Sequence, residues 1–199
     1  MIVQQKKIER QDRILLSLKK LNFLTRSQLQ RMHNLKSDRN AQRVLKNMEN
    51  YLNVFRDGQN IYYLNKKGRE RVESDKIIKK THNVNHYIMR NELYIQFGQP
   101  KTWRNEIRII NQNNHGKLIV VADALFEANN QTYIIEVDNT QSMKNNRTKI
   151  EKYRRLIERN AFGGMPFMIW ITTTEYRRKK LLELCDGLNI KVFLPTDFK

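Results

Sequence analysis

The sequence predicts a mixed α/β chain of the α+β kind in two domains, residues 1–78 and 79–199. Three observations predict it. Apolar residues recur three or four apart up to about Met48, then give way to short β-prone runs around Asp57-Gly58. Beyond Pro100 several apolar runs follow one another, and carboxylates stand at two of them, Asp123 and Glu136-Val137-Asp138. A charge-rich stretch without Pro or Gly, residues 75–81, separates the two patterns and is consistent with a continuous helix rather than a floppy linker.

The first element is an amphipathic helix over residues 5–21, carrying Ile8, Ile14, Leu15, Leu18 and Leu21. Thr25-Arg26-Ser27-Gln28 has the form of a capping box and opens a short helix to about His33. Ser37 or Asp38 can cap a third helix that turns Ala41, Val44, Leu45 and Met48 inward and Arg39, Asn40, Arg43, Lys46 and Asn47 outward. Val54-Phe55 and Ile61-Tyr62-Tyr63-Leu64 then bracket the Asp57-Gly58 turn as a hairpin. Three helices and a hairpin are the outline of a winged helix-turn-helix. Asn65 can cap a fourth helix to about Asp75. In the second domain a helix over residues 81–97 ends before Pro100. Strands are expected near 102–110, 117–126 and 131–138, a helix at 143–160, a strand at 166–172, a helix at 174–188 and a short strand at 190–194. The leading order is α-β-β-β-α-β.

Net charge bounds the partners. The chain carries +18, where about 2–8 suffices for solubility. The first 80 residues hold 20 Lys and Arg against 8 Asp and Glu, so the excess is concentrated there. A field of that sign favours a polyanion, and double-stranded DNA is the first candidate. No apolar run approaches the roughly 18 residues of a membrane span, so no membrane partner is expected. The lone Cys185 lies in a leucine stripe, which reads as a small buried hydrophobe in a reducing, cytoplasmic protein.

On the third helix, Arg39, Asn40, Arg43, Lys46 and Asn47 are the candidate DNA contacts, because Arg matches the major-groove edge of G and Asn that of A. At the hairpin tip Arg56, Gln59 and Asn60 can reach a minor groove or a flanking phosphate, although hairpin tips are commonly polar. Such binding requires no cofactor. Read as a strand, 131–138 points Glu136 and Asp138 to one face, with Asp123 ending a neighbouring run. Asp123 and Glu136 are therefore candidate Mg²⁺ or Mn²⁺ ligands of a nuclease, with Lys149 or Lys152 standing in for the lysine usually found two residues after the acid. Here that position is Asp138. The competing reading is a buried polar network in which Lys149, Lys152 or Arg147 neutralises the acids, and Glu106 is a possible addition to the cluster. Arg154-Arg155 and Arg177-Arg178-Lys179-Lys180 could extend a DNA path onto the second domain, although the Arg177–Lys180 run, on a helix with Leu181, Leu184 and Leu188, reads by default as a solvated face. His82 and His86 share a helix face without a third ligand, and His33 and His115 stand alone. No Gly-rich phosphate loop, Ser/His/Asp set or zinc-finger spacing is present, which sets aside a nucleotide-driven motor.

These features together resemble the replication-relaxation proteins of Gram-positive plasmids and integrative elements. The resemblance is carried by Ile14-Leu15, Phe23-Leu24-Thr25, Gln28-Leu29 and Arg43-Val44-Leu45. It continues through Tyr63-Leu64-Asn65 with Gly68, then Ala122-Asp123-Ala124-Leu125, Glu136-Val137-Asp138 and Lys152-Tyr153-Arg154. The family usually has Pro where Ala122 stands and Thr or Ser where Asn65 stands. The C-terminal half is also similar to the restriction-endonuclease-like αβββαβ core, whose acids would map to Asp123 and Glu136. Some members of that class carry Gln-x-x-x-Tyr on the following helix, where this chain has Lys149 and Tyr153. The resemblance implies a DNA-binding accessory or regulatory protein acting in replication, DNA relaxation or conjugative transfer. A metal-dependent endonuclease or nickase is the alternative, and a module docking replication or relaxase proteins is the third. A homodimer reading two half-sites is a further expectation.

Overall fold

A computed structural model describes residues 2–113 and 116–198, so His115 lies outside the described residues. The fold is mixed α+β, with seven α-helices and two sheets among the described residues. The chain divides into two compact units, Met1–Asn91 and Glu92–Lys199.

The first unit runs α1 (Ile2–Leu21), β1 (Leu24–Thr25), α2 (Arg26–Met32), α3 (Asp38–Lys46), β2 (Leu52–Asp57), β3 (Gln59–Leu64) and α4 (Lys66–Arg71). Its sheet is antiparallel in the order β1-β3-β2. The apolar stripe of α1 is buried through Ile14, Leu15, Leu18 and Leu21, and Ala41, Val44 and Leu45 bury the inner face of α3. Thr25 and Gln28 form the expected capping box: the Gln28 N–H donates to Thr25 Oγ1 at 3.1 Å and the Thr25 N–H to Gln28 Oε1 at 3.2 Å. The hairpin turns at Gly58, whose φ of +67° is open to glycine at little steric cost. Asn65 caps α4, accepting from the Gly68 N–H at 2.9 Å while its amide donates to the Asn50 carbonyl at 3.0 Å. The two-residue β1 has no signal in the apolar pattern.

Residues 75–81 form no helix, contrary to the expectation. Ile77 is exposed whereas Ile78 packs against the cluster of Phe23, Ile61 and Val84. Adjacent apolar residues of that kind make no helical stripe, and a short helix without a buried face is not stable. The fourth helix likewise stops at Arg71, and Glu73 takes a left-handed φ of +51°.

Helix α5 (Val84–Gln96) carries the division between the units, further along than the expected junction. The reason is local: Asn91 is buried and donates to the carbonyls of Leu21 and Phe23 at 3.1 and 2.7 Å, and Gln28 donates to the Ile88 carbonyl at 2.9 Å.

The second unit continues β4 (Arg104–Asn113), β5 (Gly116–Ala128), β6 (Gln131–Asp138), α6 (Met143–Glu158), β7 (Phe167–Thr172), α7 (Glu175–Leu184) and β8 (Ile190–Phe193). With α5 in front, the order is the expected α-β-β-β-α-β. The sheet order is β4-β5-β6-β7-β8, antiparallel through β6 and parallel from β6 to β8. Helix α6 buries Ile150, Tyr153 and Leu156 against Ile134, Met168 and Trp170. Phe126 and Tyr133 stack at 4.5 Å between centroids, and Trp103 stacks on Phe126 at 5.7 Å.

Gly68 has no room for a side chain, since a Cβ there would lie 2.1 Å from the Tyr51 carbonyl oxygen. Gly68→Ala is expected to lower stability by about 1–3 kcal/mol, the usual cost of overpacking. Thermal denaturation checks it: an unchanged melting temperature would mean that the turn after β3 relaxes freely.

Candidate functional site

Two groups of candidate residues stand on the two units. On the first, Ser37 caps α3, accepting from the Asn40 N–H at 3.3 Å. With Ala41, Val44 and Leu45 buried, the helix turns Arg39, Arg43 and Lys46 to solvent, and Asn47 is exposed as its C-cap. Asn40 is different. Its amide donates to the Leu35 carbonyl at 2.8 Å and accepts from Arg43 at 2.8 Å. It therefore fixes the α2–α3 turn and aims Arg43. Arg39, Arg43 and Lys46 line one shallow groove together. At the hairpin tip Arg56 and Gln59 are exposed and Asn60 is half-buried. They line a second depression with Arg26 and Asp38, which form an ion pair at 2.9 Å.

On the second unit the carboxylates gather where two strands part. The β5–β6 ladder ends at Ala124↔Ile135, and beyond it Glu136, Val137 and Asp138 pair only with β7. The Val137 N–H that β5 no longer meets donates to Asp123 Oδ2 at 2.7 Å. Glu136 is 1% exposed, and both its oxygens are engaged. Lys149 Nζ donates to Oε2 and Tyr153 OH to Oε1, so both ends of the Lys-x-x-x-Tyr spacing on α6 reach the same carboxylate. Burial, and then the charge of Asp123, push the Glu136 carboxyl up to about 8 against the opposing pull of Lys149 and Tyr153. Burial and Glu136 itself hold the Tyr153 hydroxyl well above its usual value, so it stays a donor.

Asp138 shares the Glu136 face of β6, as the strand period requires, and is fully buried. It belongs to a different constellation. Asn146 donates to Oδ1 at 2.8 Å, Thr172 to Oδ2 at 2.7 Å, and Arg177 grips both oxygens. Burial alone would raise its carboxyl, but the hydrogen bonds from Arg177, Asn146 and Thr172 outweigh that and hold it below the usual range. Arg177, expected on a solvated face, instead turns inward because Asp138 cannot be buried unpaired. Arg178 likewise pairs with Asp197 at 2.9 Å, and Arg154 donates to the carbonyls of Leu184 and Asp186 at the end of α7. Of the residues expected to neutralise the acids, Lys149 does so, while Lys152 and Arg147 stand exposed on α6. Glu106 is exposed on β4 with a left-handed φ of +54°. His82 is exposed, and burial followed by Arg13 lowers His33 to about 4. Burial pushes the Cys185 thiol up to about 12, consistent with a packing role.

Among the described residues no group of three or more His, Cys, Asp or Glu side chains could hold a metal ion. A hard divalent cation wants six or more oxygen ligands. Here an ammonium and a phenol hold both oxygens of Glu136, so a divalent cation at Asp123 and Glu136 would have to displace Lys149 and Tyr153.

The two buried acids have opposite pH signatures. Glu136 binds a proton more tightly in the fold than in the unfolded chain, so its contribution falls as pH rises from about 4.5 to about 8. Asp138 acts the other way, stabilising above its ordinary value of 3.8 and losing that contribution on acidification. Glu136→Gln is therefore expected to flatten the decline in melting temperature between about pH 5 and about pH 8. An equally steep decline in the variant would show that Glu136 does not titrate there. Arg177→Ala, which strands a buried carboxylate, is expected to cost about 3–5 kcal/mol by denaturant unfolding. A loss under about 1 kcal/mol, the scale of an exposed pair, would contradict the buried pairing.

The replication-relaxation family model matches residues 15–166, which spans most of the chain, including α3, the hairpin and the Asp123–Tyr153 cluster, and stops before Thr172 and Arg177. No curated protein matches the sequence. Among solved structures, the chain is similar to protein VC1899 from Vibrio cholerae at 12% identity and a TM-score of 0.44, covering 98% of this chain and 48% of that one. The chain thus spans about half the length of that neighbour. No helix among the described residues is long and apolar enough to cross a membrane. By the extent of the family match, this chain belongs to the replication-relaxation family.

Proposed function

We propose that this protein binds double-stranded DNA as an accessory or regulatory factor of a plasmid or mobile element, acting in the cytoplasm in replication, DNA relaxation or conjugative transfer. Family membership supports a role in plasmid replication or relaxation. The observation that carries DNA binding is the exposed basic face of α3, where Arg39, Arg43 and Lys46 share one groove and Asn40 holds Arg43 in place. In this reading the first unit is a winged helix-turn-helix, with α3 in the major groove and the β2–β3 hairpin as wing. The second unit is a restriction-endonuclease-like scaffold whose acids serve the fold, and replication or relaxase proteins are its partners. A homodimer would set two α3 helices on half-sites about 34–36 Å apart.

Binding is expected without metal and to weaken steeply with salt. Replacing Arg39, Arg43 and Lys46 together with Ala should reduce the slope of log K against log salt by up to about 0.9 for each phosphate no longer neutralised. Fluorescence anisotropy with duplex DNA measures it, and wild-type affinity in the triple variant would remove α3 from the interface.

The alternative, an endonuclease or nickase using Asp123 and Glu136 with Mg²⁺ or Mn²⁺, draws on the gathering of Asp123, Glu136 and Lys149 at the strand split. It requires Lys149 and Tyr153 to release Glu136, and Lys152 has no place in the cluster. Supercoiled plasmid incubated with either metal is expected to stay intact. Nicking that disappears in Asp123→Ala/Glu136→Ala would establish the nuclease instead.

A further inference from the structure

Helix α3 is flanked by two depressions of unequal charge. The one on the hairpin side contains Arg26 and Arg56, but Asp38 lies in its wall and is ion-paired with Arg26 at 2.9 Å. The one on the α1 side is lined by Lys6, Lys7, Arg10 and Arg43, with Val44 and Asn47, and no acid stands among its lining residues. Lys6 and Lys7 are exposed, and Arg10 is half-buried. Arg43 lines this groove and also the groove along the outer face of α3. The cationic surface is thus continuous from the middle of α3 to the first turns of α1, whereas the hairpin side is partly neutralised.

We infer that Lys6, Lys7 and Arg10 of α1 form a phosphate-binding track, and that this side of α3, rather than the wing, supplies the larger share of backbone attraction when duplex DNA is bound. The inference rests on the DNA-binding reading above and assigns its electrostatics to a helix that reading leaves unused. Side chains of α1 would meet a sugar-phosphate strand at the edge of the groove that α3 enters. Such contacts fix orientation and carry no sequence information. Removing them weakens binding to all duplexes alike, whereas removing a base-reading residue on α3 changes the preference among sequences.

The test compares full-length wild type with Lys6→Ala/Lys7→Ala/Arg10→Ala and with Arg56→Ala/Gln59→Ala. Affinity for two duplexes of unrelated sequence is measured across a salt series. The α1 variant is expected to lose about two to three units of salt slope, at about 0.9 per neutralised phosphate, equally on both duplexes. The wing variant, which removes one cation, is expected to lose about one unit or less. Lys6→Ala/Lys7→Ala leaves Arg10 in place, guards against a folding defect, and should lose about two units. An unchanged slope in both α1 variants, or a larger loss in the wing variant, overturns the inference while leaving DNA binding intact. Wild type that binds neither duplex overturns the DNA-binding reading and the inference with it.

Discussion

Two carboxylates buried on one face of β6 are the constraint around which the second unit is organised. Glu136 and Asp138 lie beyond the last β5–β6 pair, Ala124↔Ile135, and both are buried. A buried charge without partners is among the most destabilising features a fold can contain. Each acid therefore gathers side chains from the flanking helices. Lys149 and Tyr153 fix α6 to Glu136; Asn146 and Arg177 fix α6 and α7 to Asp138. Helix positions that would otherwise depend only on Ile150, Leu156 and Leu181 packing thus acquire an orientation and a register. The same pairings occupy both oxygens of Glu136, which a cation there would have to share or displace.

The first unit answers to a different constraint. Its positive charge is compatible with a stable fold because most of the cations stand on outward faces while Ile14, Leu15, Leu18, Val44 and Leu45 close the core beneath them. Several turn back onto the protein: Arg90 is fully buried and donates to the Leu21 carbonyl at 3.3 Å, Arg26 pairs with Asp38 at 2.9 Å, Arg71 meets Asp12 at 2.7 Å, and Lys19 meets the carbonyls of Val72 and Glu73. The exposed cations along α3 and the start of α1, Arg39, Arg43, Lys46, Lys6 and Lys7, make a surface that favours a polyanion.

Local chemistry is legible in the sequence, and distant pairing is not. Thr25 with Gln28, Ser37 before α3, and Asn65 before Gly68 announce helix starts because caps act within three residues. The four-residue step from Lys149 to Tyr153 places both on one helix face, and the two-residue step from Glu136 to Asp138 places both on one strand face. What no spacing discloses is that Arg177, 39 residues beyond Asp138, is its counterion. Its setting in Arg-Arg-Lys-Lys is the pattern of a solvated helix. Asn40 is a similar case: no spacing discloses that its amide also braces the α2–α3 turn. At residues 75–81, composition alone does not reveal that a pair of adjacent isoleucines offers no face to bury. Asn65 and Gly68 also show how a family motif acquires a physical reason, since one caps α4 and the other clears the Tyr51 carbonyl.

The division of labour between a DNA-facing α3 and a β6–α6 network devoted to the fold is the central claim. Amide hydrogen exchange of the full-length protein with and without duplex DNA tests it most directly. The account predicts slowed exchange through α3 and the first half of α1 on adding DNA, with β6 and α6 unchanged. Slowed exchange around Glu136 and Lys149, with residues 38–46 unaffected, would contradict it and move the DNA onto the carboxylate cluster.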